Sequence, residues 1–317
     1  MSHSHTSTGA EDGGVVTERG ETAPGDAVAV AEPSPTSDLD RGEAPRTKET
    51  VIAPARGWAP LNFREFWDHR ELLYLLVWRN VKVRYKQTVL GVAWALIPSV
   101  LTMIVFTVIF GRLGQLSSDG SPYALFSFCA LVPWTFFASA VSLGSLSVVE
   151  NERLVTKVYF PRLLVPLSST LSGLPDLAVS LVLLLVLCVG FGVYPEPQAL
   201  AVIPFAALAV TAAFAVGLTL SALNVFYRDV RYVIAFLIQF WLFVTPVVYS
   251  SSIVPEKWQP LYGLNPMVGV IDGFRWALLD APAPLATLPS SIASALLLLV
   301  GGLYYFRRVE DSFADVV

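Results

Sequence analysis

The chain has 317 residues, of which 54% are apolar or aromatic and 15% charged, with a net charge of −4 and a mean hydropathy of +0.60. A soluble domain carries about 25% charged residues, so an ordinary water-soluble enzyme is excluded and a membrane protein is the reading left. The charge is unevenly placed, with ten acids and four bases in residues 1–50 and 17 bases against 15 acids in the remainder; the bases sit at the edges of apolar runs, which gives nucleic-acid binding no support.

Residues 1–55 are rich in Ser, Thr, Gly, Ala, Pro and acids and have no apolar periodicity. They read as a disordered acidic cytoplasmic tail, without the basic and apolar regions of a signal peptide. Residues 56–87 form an interfacial amphipathic segment. Within it Arg79, Lys82 and Lys86 fall at i, i+3, i+7, and Trp78, Val81 and Tyr85 do the same on a neighbouring stripe. Such a helix rests in the headgroup layer with its bases toward anionic lipid. The alternative is a plain basic flank of the first span.

Six apolar stretches follow within 88–308, each near the roughly 20 residues a span requires. They run over Thr88–Phe110, Tyr123–Val149, Leu163–Tyr194, Pro197–Tyr227, Tyr232 to about Ser250, and about Leu285–Phe306. Eleven bases flank one side: Arg79, Lys82, Arg84, Lys86, Arg153, Lys157, Arg162, Arg228, Arg231, Arg307 and Arg308. Three flank the other: Arg112, Lys257 and Arg275. The bias places the first set and both termini, including a short 309–317 tail, in the cytoplasm. The fold class expected is an all-α, six-span membrane protein. An external re-entrant hairpin of two short helices, dipping into the outer leaflet, is expected between spans five and six, with Pro255 opening one helix and Asn265-Pro266 capping the other. Irregular backbone is forbidden in lipid, so the hairpin must pack on the spans or line a water-filled space.

Little in this body suits catalysis. Cys129 and Cys188 lie in apolar runs and read as small buried hydrophobes. The histidines His3, His5 and His69 lie outside the apolar runs, so an intramembrane metal site lacks its commonest ligand. None of Lys48, Lys82, Lys86, Lys157 and Lys257 follows a glycine, so the lysine of a phosphate-cradling P-loop is missing. Asp176 is the one acid well inside an apolar stretch. It is a candidate for proton coupling or a hydrogen-bonded structural acid, and the spans hold no evident partner for it. The loop 150–162 is more informative. Glu150 and Glu152 suit a helix start, Lys157 lies near its end, and Leu154, Val155, Val158 and Tyr159 form one apolar stripe ahead of Pro161. A helix that docks on a partner needs such a stripe; folding back on the membrane domain is the alternative. Aromatic residues Phe126, Trp134 and Phe137 in the second span, and Phe240, Trp241 and Tyr249 in the fifth, are candidates to line a glycan path, or else to pack and face lipid.

Five segments taken in order resemble one family: RNVKVRYKQTVLGVAWALIPS (79–99), LVPWTFFASA (131–140), NERLVTKVYFPR (151–162), SALNVFYRDVRYV (221–233) and LNPMVGVIDGFRWALL (264–279). They are similar to permease subunits of type-2 ABC exporters, in particular the branch exporting O-antigen, teichoic acid, galactan and capsular polysaccharides. The resemblance runs from about Arg64 to Arg308. It implies a homodimer in the bacterial cytoplasmic membrane with two separate ATPase subunits, which bind ATP and Mg, and an undecaprenyl-linked glycan as substrate. No catalytic, cofactor or metal residue is implied in this chain. It also implies a coupling helix at about 151–161, with Glu152, Leu154, Val155, Lys157, Val158 and Tyr159 at the ATPase. Arg79, Lys82, Arg84 and Lys86 become candidates for the phosphates of the lipid, or serve topology alone. Outer gate helices fall at about 253–279, with Trp258, Tyr262, Asn265, Met267 and Phe274. The rival readings are an export permease for a small lipid or drug, an ion-coupled secondary transporter using Asp176, and a membrane-embedded transferase, for which no acid–base cluster is visible.

Overall fold

A computed structural model describes residues 67–86, 93–227 and 229–313. The acidic tail, the first part of the interfacial segment, the start of the first span, Arg228 and residues 314–317 lie outside the described residues. Those described are mostly helical and include no strand.

Helix α1 (Arg70–Tyr85) precedes α2 (Ala93–Phe106), which continues as wide π-helical turns over Thr107–Leu113. Then come α3 (Tyr123–Glu150), the short α4 (Glu152–Lys157), α5 (Leu164–Leu171) and α6 (Leu174–Gly190). Helix α7 (Val202–Phe226) follows a 3-10 turn, and α8 (Val230–Val244) follows α7 directly. Two short pieces, a 3-10 turn Glu256–Trp258 and α9 (Gln259–Tyr262), lead to α10 (Pro266–Leu279) and α11 (Leu288–Val309).

Among the described residues five segments are long and apolar enough to cross a membrane: Leu96–Leu113, Tyr123–Glu150, Leu164–Gly190, Pro197–Phe226 and Leu288–Ser312. The stretch expected as span five is shorter than its sequence suggested. Helix α8 stops at Val244 after 15 residues. Thr245 precedes Pro246, and the proline ring drives the residue before it out of helical backbone; Thr245 is extended, with φ −97° and ψ 142°. The third stretch is likewise divided. Pro175 has no N–H to give to a carbonyl four residues back, and the helix breaks at Ser172–Gly173 before restarting as α6.

Helix α3 is the axis of the core. It packs along α7 and also meets α2, α5, α6 and α10, while α11 lies along α7. The crossing of α3 with α7 is close because Gly144 and Gly217 face each other there: a Cβ on Gly144 would stand 3.5 Å from the Gly217 Cα. Small residues let apolar helices approach until dispersion holds them together. The core has two parts. One gathers Leu125, Phe128, Phe137, Ala209, Val270 and Phe274, with both cysteines buried among them. The other gathers Leu76, Val148, Val155, Phe160, Val225, Phe306 and Phe313. The chain therefore runs from the first cluster to the second along α3, α7 and α11, and back along α5–α6. Arg79, Arg153, Lys157, Arg162 and Arg307 belong to elements of the second cluster, and Arg275 to the first. These members of the two sets that charge bias separated are thus associated with different clusters.

Candidate functional site

The base-rich end is built around the loop that joins α3 to α5. Asn151 ends α3 and begins α4. Its side chain does not cap α4; it accepts a 2.6 Å hydrogen bond from Arg79 on α1 and donates one of 2.7 Å to the Ser147 carbonyl. Asn80 reaches Ser168 on α5 at 3.5 Å. Arg162 donates to the Glu310 carbonyl beyond α11. The loop is therefore tied to α1 through Arg79 and to the turn after α11 through Arg162.

The stripe expected on this loop is divided. Helix α4 ends at Lys157, and Val158 is extended, with φ −122° and ψ 130°. Val155 is buried in the second cluster and Leu154 packs against it. Val158 and Tyr159 are 51% and 79% exposed, and Glu152 and Lys157 are exposed as well. Half the stripe thus folds back on the membrane domain. The other half, past the end of the helix rather than on it, is presented outward.

The basic quartet is also divided. Arg84 forms an ion pair with Asp176, and the Tyr85 hydroxyl donates to the same carboxylate. The partners of Asp176 come from α1 and not from another span, in line with the absence of an evident partner in the spans. Asp176 sits in the first turn of α6, where free N–H groups and the helix dipole favour a carboxylate. The guanidinium and the phenol on this carboxylate tie α1 to α6. A cavity of about 200 Å³ opens beside it, between Ser99, Thr135, Ser139 and Ser180. Lys82 lies over the Trp78 ring, 5.4 Å from its centroid, and Lys86 is exposed.

The aromatic candidates separate in the same way. Phe126, Trp134 and Phe137 are core residues, each below 5% exposed, and offer no surface to a passing chain in this protomer. Phe240 is exposed and stacked on Phe236 with centroids 6.5 Å apart. Trp241 packs edge-on against Phe137 at 5.2 Å, and the Tyr249 hydroxyl lies 3.0 Å from that of Tyr262.

At the other end α9 and α10 occupy the stretch where the sequence suggests a hairpin. Asn265 caps α10 through the Met267 N–H at 3.1 Å and donates to Thr245 Oγ1 at 2.9 Å. Pro266 takes the first helical position. Pro255 stands just before a 3-10 turn, not inside an α-helix. Met267 and Phe274 are wholly buried, so they anchor α10 in the bundle, whereas Trp258 is exposed.

Residues that the sequence reading passed over make the chemistry of this end. Arg275 was counted only as an outer base, and Asp272 not at all. They lie one turn apart on α10, both buried. The guanidinium stands over the Phe126 ring at 3.5 Å and donates to the Val247 and Tyr249 carbonyls at 3.1 and 3.3 Å. Tyr123 donates to the Val248 carbonyl at 2.6 Å. The irregular backbone after α8 is thus satisfied by side chains, which permits it inside an apolar bundle. Burial pushes the Asp272 carboxyl up to about 6, with Arg275 pulling the other way. The sequence signal was an i, i+3 acid–base pair in an otherwise apolar helix, a pattern that is costly unless the charges are used.

The described residues form a bundle of apolar helices with a base-rich end. Residues 71–279 match the family described as ABC-2 type transporter, and the chain belongs to it. It is 29% identical over 257 residues to the O-antigen export system permease protein RfbA of Myxococcus xanthus, covering 80% of this chain and 98% of that one. Two proteins of the same name from Klebsiella pneumoniae are 28% identical over 249 residues, covering 78% of this chain and 95% of each relative.

Proposed function

We propose that this chain is the permease of an ATP-driven exporter that carries a lipid-linked polysaccharide across the bacterial cytoplasmic membrane. What carries the reading is family membership together with relatives matched over nearly their whole length, all named as O-antigen export permeases. Two copies form the conduit and two separate ATPase subunits, which hold ATP and Mg, drive it. The acidic tail (1–55) and the interfacial segment (56–87) lie on the cytoplasmic side. The body (88–308) crosses six times, with α8 as the short fifth crossing, and both termini are cytoplasmic.

In this reading Glu152, Lys157, Val158 and Tyr159 seat on the ATPase, while Leu154 and Val155 hold the seat to the membrane domain. Arg79 relays its movement to α1. Lys82 and Lys86 remain available to the diphosphate of an undecaprenyl-type carrier, since Arg84 is committed to Asp176. Phe236 and Phe240 offer aromatic faces that tolerate a sliding sugar chain. Trp258 and Tyr262 belong to the outer gate.

The test is to purify the chain with its candidate ATPase and to follow surface polysaccharide in cells lacking the chain. A two-plus-two complex and polysaccharide lost from the surface but retained inside is the expected result. Normal surface polysaccharide with loss of efflux of small lipids or drugs would replace the substrate, and a chain that never holds an ATPase would remove the mechanism.

A further inference from the structure

Helix α11 ends at Val309, just past Arg307 and Arg308, the bases that border the last apolar stretch. Glu310–Ser312 then turns as a 3-10 piece, and Phe313 follows. Phe313 stands beyond a polar run, yet it is wholly buried within this chain, so protein and not lipid covers it. Its ring is edge-on to Phe306 at 5.2 Å and tilted against Phe226, the last residue of α7, at 6.2 Å. Val155, Phe160 and Leu163, from α4 and the chain that leads to α5, belong to the same cluster.

One acceptor joins the turn to the loop. The Glu310 carbonyl takes the Phe313 N–H, which closes the turn, and also a hydrogen bond from the Arg162 guanidinium, 148 positions earlier. A carbonyl has two lone pairs and serves both donors. The last carbonyls of a helix lack partners within it and attract a cation, which favours Arg162 at this place. The Glu310 carboxylate holds Arg307 at 2.9 Å and so fixes the turn to α11. Helix α4, by contrast, has six residues and no side-chain cap. A helix that short is not stable by itself in water, so its place depends on what holds the chain on either side of it. Arg79 holds the Asn151 side at 2.6 Å; Arg162, through the turn after α11, holds the other.

We propose that the turn 310–313 is a brace that positions the loop 151–162 for the ATPase, with Phe313 and Arg162 as its positioning residues. The inference rests on the reading above, in which that loop seats on the ATPase. Phe313 locks the turn between the ends of α7 and α11, the locked turn presents the Glu310 carbonyl, and Arg162 hangs the loop from it. Neither residue touches the ATPase. They set how often the loop is in its seated arrangement, and a loop seated only part of the time binds its partner more weakly by that fraction.

The experiment uses the full chain in lipid nanodiscs with a nitroxide on Thr156→Cys, an exposed position of α4, or on Val182→Cys, an exposed position of α6, as control. Cys129 and Cys188 are buried, so the label goes to the introduced thiol. Phe313→Ala and Arg162→Ala are each expected to sharpen the spectrum at 156 and to leave that at 182 unchanged, Phe313→Leu to restore it, and the two alanines together to do no more than one, since both act through one carbonyl. In the unlabelled chain the Kd for the ATPase should rise about tenfold if the loop keeps its seated arrangement a tenth of the time, while the maximal ATP turnover of the saturated complex stays at the wild-type value. A lower thermal midpoint with the 156 spectrum and the Kd unchanged makes Phe313 a packing residue alone and overturns the proposal. Equal sharpening at 156 and 182, or effects that add, overturns it too. If Phe313→Ala does not fold, Arg162→Ala decides by the same two labels. A wild-type chain that binds no ATPase removes the transport reading, and the labels still judge the brace; an ATPase bound with equal affinity by all variants removes the brace and leaves transport.

Discussion

Arg84 and Asp176 stand 92 positions apart, and their pairing changes what the acid means. A lone carboxylate within an apolar stretch invites a proton-carrier role; a guanidinium and a phenol on it point to a strut, which we propose for Asp176. Each partner is about a quarter exposed, at 27% and 23%, so water screens the pair and its coupling is modest, ~1 kcal/mol. We expect Asp176→Asn and Arg84→Ala each to lower the thermal midpoint of the purified complex. The double variant should be less destabilised than the sum of the two, and transport should remain ATP-driven in Asp176→Asn. A double-mutant cycle on melting, with transport measured after collapse of the proton gradient, checks both parts; additive losses would remove the strut. Arg275 shows the same lesson at the outer end. Its role lies in the carbonyls of Val247 and Tyr249, which no local pattern connects to it.

The element proposed to seat on the ATPase is the segment 151–161. Its spacing was readable as a helix with an apolar stripe, and the stripe is real in composition. The helix nevertheless ends at Lys157, and burial then divides Val155 from Val158 and Tyr159. The two halves should respond differently to the same change. Val155→Asp buries a charge in the second cluster and should cost ~3 kcal/mol or more, seen as loss of folded protein in detergent. Val158→Asp with Tyr159→Asp should leave folding and insertion intact and abolish retention of the ATPase on an affinity column. Equal retention in that double variant would move the coupling surface elsewhere. The early end of α8 follows a rule that the sequence did contain, the restriction of Thr245 by Pro246. Hydropathy alone runs through that proline, because it counts apolar side chains and not backbone N–H groups.

For the whole molecule, the two ends carry the functional argument. The base-rich ends of α1, α3, α5 and α11 meet at the second cluster, and α10 lies at the first. Single cysteines at Tyr159 and Glu310 should therefore react with a membrane-impermeant maleimide only in inside-out vesicles. Cysteines at Asp119 and Ala283 should react only in intact cells or spheroplasts. A reagent that reaches both sets from one side would overturn the proposed topology.

The sequence by itself determined the helical membrane class, the places of most crossings, the charge asymmetry, the capping of α10 by Asn265 and the family. Each is carried by local composition, by periodicity, or by residues in a fixed order along the chain. Only the tertiary structure decided that Asp176 is tied to Arg84, and that Phe126, Trp134 and Phe137 are core while Phe240 is surface. A helical pattern repeats every 3.6 residues and states that a face is apolar, but not which neighbour covers it. In an apolar bundle nearly every face is apolar, so the pattern has least contrast there. Which side chains meet is then set by close packing between helices far apart in the chain.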